Sequence, residues 1–205
     1  MDKFLALTEE KRLTILNAAL QCFGKFGYEK ASINDIAVAA HISKASVFQY
    51  FGSKKQIYIY LLEYCKKIIE GIFDKEALNS QTDLFDRILA SSRMEMESFQ
   101  NQPFILQFIT SVWEETSPEV ADALVILTEE VCKFRNDMVL REDDALKFKN
   151  PEDAQPVFQM LLLMAEGYAA RYRGAAAFDF QAVMEDFEEN IAILRKNFYK
   201  EEYLK

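Results

Sequence analysis

A chain of 205 residues, half of them apolar and 28% charged, has the bulk to bury a true core as one large domain or two small ones. Six glycines and four prolines are few for a strand-and-turn architecture, so the expected class is all-α. The net charge of −9 argues against a general nucleic-acid binder, yet residues 1–55 hold eight Lys/Arg against five acids, a net of +3 that leaves −12 on the rest. A mildly basic head on an acidic body suits a protein that meets phosphate at one end only.

Apolar runs such as Met160 to Ala165 fall far short of the roughly 20 residues that a membrane helix needs. Phe4 to Leu7 is too short for a signal-peptide core, and Glu9 and Glu10 follow closely. The expected location is therefore the cytoplasm, with no membrane contact. Cys22, Cys65 and Cys132 are widely spaced, without a CxxC pair or partner histidines. Each sits among apolar neighbours, which points to core packing, with no disulfide and no metal.

In chain order, Thr8 caps a first helix, with Glu9 and Glu10 at the positive end of its dipole. Leu13, Leu16, Leu20 and Phe23 form its stripe, and Gly27 ends it. Ser32, with Asp35 three residues on, opens a short second helix buried through Ile33, Ile36, Ala37 and Ala40. His41-Ile42-Ser43 interrupts it. Ser43 then caps a third helix from Lys44 to about Phe51, and Ser53 opens a fourth from Lys54 to about Phe73. Thr82 is expected to cap a helix reaching Phe99, and Pro103 sits in the first turn of the next, to about Glu115. Ser117-Pro118 opens a helix with Val120, Leu124, Leu127, Val131, Phe134 and Met138 on one face. Arg141 to Lys149 reads as a charged loop. A very apolar helix then begins at Asn150-Pro151 or Pro156 and runs to about Arg173, where Gly174 ends it. The last helix spans about Asp179 to Tyr199, and the total is nine helices.

Two short helices joined by a tight turn can place the second in the major groove of DNA. Here Ile36, Ala37, Ile42, Val47 and Phe51 lock the pair inward. Lys44, Ala45, Ser46 and Gln49 remain for the outer face, where small residues let the backbone approach closely. The free N–H groups at the two helix starts can hold phosphates. The stretch "RLTILNAALQCFGKFGYEKAS" followed by "INDIAVAAHISKASVFQYFGSKKQIY" resembles the tetracycline-repressor (TetR) family without a gap from Lys11 to Tyr58. Gly27-Tyr28, Ile36-Ala37, Ser43-Lys44, Tyr50-Phe51 and Ser53-Lys54 agree with it together. His41 stands where the family commonly has glycine in the turn, Ala45 where glycine is frequent, and Phe48 where a tyrosine often bonds the DNA backbone.

The resemblance implies a helix-turn-helix head over residues 1–53 and a ligand-binding and dimerisation body over residues 54–205. It assigns Ser32, Tyr50 and Lys54 to phosphates and Lys44, Ser46 and Gln49 to base edges, with Ala45 and Phe48 beside them. It further implies a homodimer through the last two helices reading a palindrome, and a repressor released by a small, mostly apolar effector. The apolar run Val157–Ala165 and the seam of the final helix agree with the dimer on their own terms. Phe99, Phe104, Phe108, Trp113, Phe134, Met138, Met164 and Tyr168 are the residues expected to line an adaptable pocket, with Glu166 and Arg171 as anchors for a charged ligand. One histidine, no metal-spaced cluster, no phosphate loop and no nucleophile motif argue against an enzyme, and no cofactor is implied. The competing reading is a regulator of the same fold that acts through a protein partner or without a small ligand.

Overall fold

The structure, a computed structural model, describes residues 2–171 and 179–204. Eleven α-helices follow one another among them, and no strand. They are α1 (Asp2–Leu5), α2 (Glu9–Lys30), α3 (Ile33–Ala39), α4 (Lys44–Phe51), α5 (Lys54–Ile72), α6 (Lys75–Ser80), α7 (Leu84–Asn101), α8 (Pro103–Val112), α9 (Ala121–Val139), α10 (Ala154–Arg171) and α11 (Phe180–Phe198). Among the described residues no helix is long and apolar enough to cross a membrane. The all-α expectation holds. The nine expected helices correspond to α2–α5 and α7–α11, and α1 and α6 are additions.

The chain packs as two compact units, one of residues 1–70 with 102–131 and one of residues 71–101 with 132–205. In the first, Thr8 caps α2 by accepting from the Lys11 N–H at 3.4 Å. Gly27 breaks the helix with φ 70°, a left-handed conformation that suits glycine, and one further turn carries α2 to Lys30. Leu13 lies outside the buried stripe, which runs instead through Ile15, Leu16, Ala19, Leu20 and Phe23. At Gly24 a Cβ would stand 3.0 Å from the Phe108 backbone nitrogen, so α2 and α8 cross at glycine contact. Against this crossing Phe108 buries its ring on Tyr58, at 5.3 Å between centroids. Cys22 and Cys65 are buried and free, and burial pushes both thiols up from their ordinary range. Cys132 is exposed, contrary to the core reading, because it falls on the outer face of α9.

The second unit is built around Phe85, Phe148, Val157, Phe158, Leu161, Phe187, Ile191 and Tyr199. Asp74 caps α6 through the Glu76 and Ala77 N–H groups. Asp83, not Thr82, caps α7 by accepting from Phe85 and Asp86 N–H, since a carboxylate there reaches two orphan donors at once. The expected start of α9 at Ser117-Pro118 is displaced to Ala121, because Ser117 is buried and its residues first form a turn.

The presumed loop over residues 141–149 is ordered. Glu142–Lys147 forms 3-10 turns and Phe148 is fully buried, bridged antiparallel to Tyr199. Its ring meets those of Phe85 and Tyr199, the latter at 4.9 Å. Arg87, wholly buried, pairs with buried Asp144 and donates to the carbonyls of Val139 (2.7 Å) and Gln81 (3.0 Å). Pro151–Asp153 makes one 3-10 turn, and α10 starts at Ala154, between the two expected starts. Asp179 caps α11 as expected. The expected end of α10 at Arg173 and Gly174 lies outside the described residues.

Candidate functional site

The head is assembled from local signals. Ser32 caps α3 by accepting from the Asn34 N–H at 3.1 Å, and Ser43 caps α4 by accepting from the Ser46 N–H at 3.0 Å. His41 sits between them with φ 55°, the left-handed position that glycine commonly takes in the family this head resembles. Ile36, Ala37, Val47 and Phe51 are buried and Ile42 is half-buried, so α3 and α4 are locked as expected. A contact beyond the sequence reading supports them from α1. The Phe4 ring packs 4.7 Å from Phe51, and Arg12 holds α1 in place through the Leu5 and Leu7 carbonyls.

This locking leaves one face of α4 open. Lys44, Ala45, Phe48 and Gln49 are exposed, with Phe48 at 42% even though it is aromatic. Lys44 Nζ lies 6.0 Å from the Phe48 ring centroid, so cation and ring share that face. Ser46 is half-buried and its hydroxyl is 2.8 Å from that of Ser43. Tyr50 is half-buried, with its ring 6.1 Å from Phe4, and Ser32 is half-buried at its cap. Lys54 is engaged within the head. Its Nζ donates to the Glu29 carbonyl at 2.8 Å and stands 4.8 Å from the Tyr28 ring, closing the last turn of α2.

A residue that sequence reasoning passed over holds the entrance to this assembly. Glu115, between α8 and α9, accepts the Tyr28 N–H at 2.6 Å and, with its other oxygen, those of Thr116 (3.1 Å) and Ser117 (2.9 Å). Tyr28 N–H is left over because Gly27 departs from the helix, so the carboxylate satisfies an orphan that the kink itself creates. The signal in the sequence is weak: an acid directly before a Thr-Ser-Pro turn.

With the head's geometry in view, the comparisons with known proteins agree on one family. Residues 15–61 match the model of bacterial regulatory proteins, tetR family. Over that segment the chain is similar to the TetR family. It is 27% identical over 135 residues to the HTH-type transcriptional activator FasR of Mycolicibacterium smegmatis, a match covering 65% of this chain and 61% of that one. It is 24% identical over 133 residues to the Biofilm operon icaADBC HTH-type negative transcriptional regulator IcaR of Staphylococcus aureus, covering 62% of this chain and 70% of that one. The fold matches a TetR family transcriptional regulator from Chloroflexus aurantiacus with a TM-score of 0.73 at 21% identity, over 98% of each chain.

The second unit holds a small cavity of about 40 Å³. Ile88, Ser91, Ser92 and Glu95 face it from α7, the i, i+3, i+4, i+7 set of one helix side. Arg135 and Val139 face it from α9, Phe158, Leu161, Leu162 and Ala165 from α10, and Phe187 from α11. The ten residues expected at a pocket fall elsewhere or beside it. Phe134, Met138 and Met164 each adjoin a lining residue in sequence, and the Phe134 ring lies tilted against Phe73 at 5.7 Å. Phe99 is buried at the end of α7. Phe104 and Phe108 lie on α8 in the first unit, with Trp113 exposed beyond them. Tyr168 packs on Phe187 and accepts from Asn190, Glu166 is half-buried, and exposed Arg171 lies over the Tyr168 ring. Among the described residues no group of three or more His, Cys, Asp or Glu could hold a metal.

Proposed function

We propose that this chain is a dimeric transcriptional repressor whose residues 1–53 read a palindromic DNA site and whose residues 54–205 dimerise and sense a small, mostly apolar effector. The observation that carries the DNA reading is the open face of α4, where Lys44, Ala45, Phe48 and Gln49 are exposed while Val47 and Phe51 are buried behind them. A helix so placed enters the major groove, with Gln49 suited to bidentate pairing with adenine and Phe48 to a thymine methyl. Ser46 adds a small polar contact, and Ser32, Tyr50 and Lys54 flank the helix for phosphates. Dimerisation through α10 and α11 is supported by Met160, Leu163 and Ile193, apolar side chains left 45%, 66% and 58% exposed on those helices. Two heads on a two-fold axis supply the specificity that one short helix lacks.

The effector acts by population shift, binding best to a conformation that spaces the two heads wrongly for DNA, and a coupling of about 1–3 kcal/mol is typical of such linkage. The test is a titration against the DNA upstream of the protein's own gene at several salt concentrations. Specific binding falls with salt as counterions leave. Gln49→Ala erases preference for one base pair, whereas Lys54→Ala weakens all sequences evenly and lowers the salt slope by about 1. Because Lys54 also ties down α2, its variant is compared at matched folded fraction by thermal denaturation. Equal and uniform losses in both variants refute the assignment. A second reading, a regulator that works without a small ligand, is favoured by the small volume of the cavity, about 40 Å³, and predicts DNA binding indifferent to every apolar compound tried.

A further inference from the structure

The cavity of the second unit is apolar except along one edge, and that edge is unevenly satisfied. Arg135 Nη2 donates to Glu95 Oε1 at 2.6 Å, and both side chains are about one-fifth exposed. Arg135 Nε is buried with no hydrogen-bond partner. A guanidinium whose Nε–H has no acceptor is under-coordinated on the donor side only, since neither carboxylate oxygen of Glu95 is similarly orphaned. What this edge lacks is therefore an acceptor, and a negatively charged one is favoured because a guanidinium binds anionic oxygens more strongly than neutral ones.

The rest of the lining sets the other half of the ligand. Ile88, Phe158, Leu161 and Phe187 present hydrocarbon from three helices, and Ser91 has already spent its hydroxyl proton on the Ile88 carbonyl. Ser92 adds one neutral hydroxyl to the lining. At about 40 Å³ the space holds a water or two, well below the roughly 300 Å³ of an occupied pocket, so a ligand enters only as the helices part.

We propose that this cavity receives a carboxylic acid with an apolar body, its carboxylate taking Arg135 in exchange for Glu95. This assignment rests on the effector-sensing reading above and names the class of effector. The exchange conserves charge pairing at the arginine, and Glu95 returns to water from its partly exposed position. An amine would instead pair with Glu95 and strand Arg135 beside a like charge in low dielectric. An alcohol supplies an acceptor without the charge. Of these three head groups only the carboxylate both satisfies the orphaned Nε–H and keeps the guanidinium paired.

The experiment is calorimetric titration of the full-length protein with decanoate, decanol and decylamine, each below its aggregation concentration. Alongside it, displacement of the protein from its own upstream DNA is followed with the same compounds. Decanoate is expected to bind about tenfold or more tightly than decanol, the usual margin for a charged hydrogen bond, and decylamine more weakly still. Arg135→Gln abolishes the margin. Glu95→Gln tightens decanoate binding several-fold by removing the competitor, a gain that no misfolded variant can imitate. Decanol matching decanoate, decylamine binding best, or an undiminished margin in Arg135→Gln overturns the assignment, as does failure of decanoate to bind. Selective decanoate binding that leaves the protein on its DNA upholds the site and refutes effector release, so the two readings fail separately.

Discussion

Replacing Glu115 by alanine removes the acceptor of three backbone N–H groups at once. Thr116 is exposed and its N–H turns to water at little cost. The N–H groups of Tyr28 and Ser117 are partly buried, and there the loss is larger. Both bonds go to the carboxylate; the Tyr28 bond is worth about 1.5–3 kcal/mol and the local one to Ser117, two residues on, about 1 kcal/mol, so Glu115→Ala lowers stability by roughly 2.5–4 kcal/mol. For a chain of this size that corresponds to a Tm lower by about 5–15 °C. The sole tryptophan, Trp113, lies two residues away in the same compact unit, so its fluorescence during heating reports the affected region. DNA affinity falls in parallel, because the Gly27-Tyr28 kink sets how α2 delivers the chain into α3. Glu115→Gln retains one acceptor and loses about half as much. A Glu115→Ala transition within about 0.5 kcal/mol of the parent, or a Gln variant as damaged as the Ala variant, refutes the reasoning.

Arg87→Met leaves Asp144 charged and unpaired in the core and lowers stability by about 3–5 kcal/mol in chemical denaturation, whereas Arg87→Met combined with Asp144→Leu recovers at least half of that because no buried charge remains. His41→Gly relieves a left-handed residue at φ 55° and raises stability by roughly 0.5–1 kcal/mol with DNA binding intact, while His41→Val does the reverse, both read from Tm and a binding titration. Burial pushes the Tyr58 phenol above its ordinary range, so the folded state keeps a proton that the unfolded chain releases from about pH 10. Stability is therefore fully present below that pH and falls above it by up to about 1.4 kcal/mol per pH unit for this group. Tyr58→Phe removes that part of the alkaline slope and, since the hydroxyl is buried without a partner, leaves neutral-pH stability equal or higher.

The helix starts at Thr8, Ser32, Ser43 and Asp179 were legible because a cap is decided within three residues of itself. Gly27 and His41 were legible for the same reason, each marking a backbone position that few residues tolerate. Residues 141–149 were misread because composition sees six charged positions there, while order depends on Phe148 meeting Phe85 and Tyr199, partners far away in sequence. Arg87 and Glu115 were missed likewise: each looks like an ordinary surface charge on its own helix or turn, and only the fold supplies buried Asp144 or the orphaned Tyr28 N–H. Lys54 shows a milder version. Its position was foreseen, but its engagement with Glu29 and Tyr28 requires knowing where α2 ends. For the cavity, aromatic and methionine richness also drew in Phe104, Phe108 and Trp113, which lie in the other unit, while the α7 face at Ile88, Ser91, Ser92 and Glu95 carries no aromatic ring at all.

The glycine crossing of α2 and α8 bears on how such heads are exchanged between proteins. Ile105, Leu106 and Phe108 cover α2 from a helix that lies some fifty residues beyond the reading helix, and their burial is worth on the order of 5–9 kcal/mol, comparable to the whole stability of a small domain. A chimera cut after residue 53 would therefore leave that roof behind with the donor. A graft that keeps its grip on DNA has to carry residues 102–117 along, or find in its new host a helix that fits as closely over Gly24.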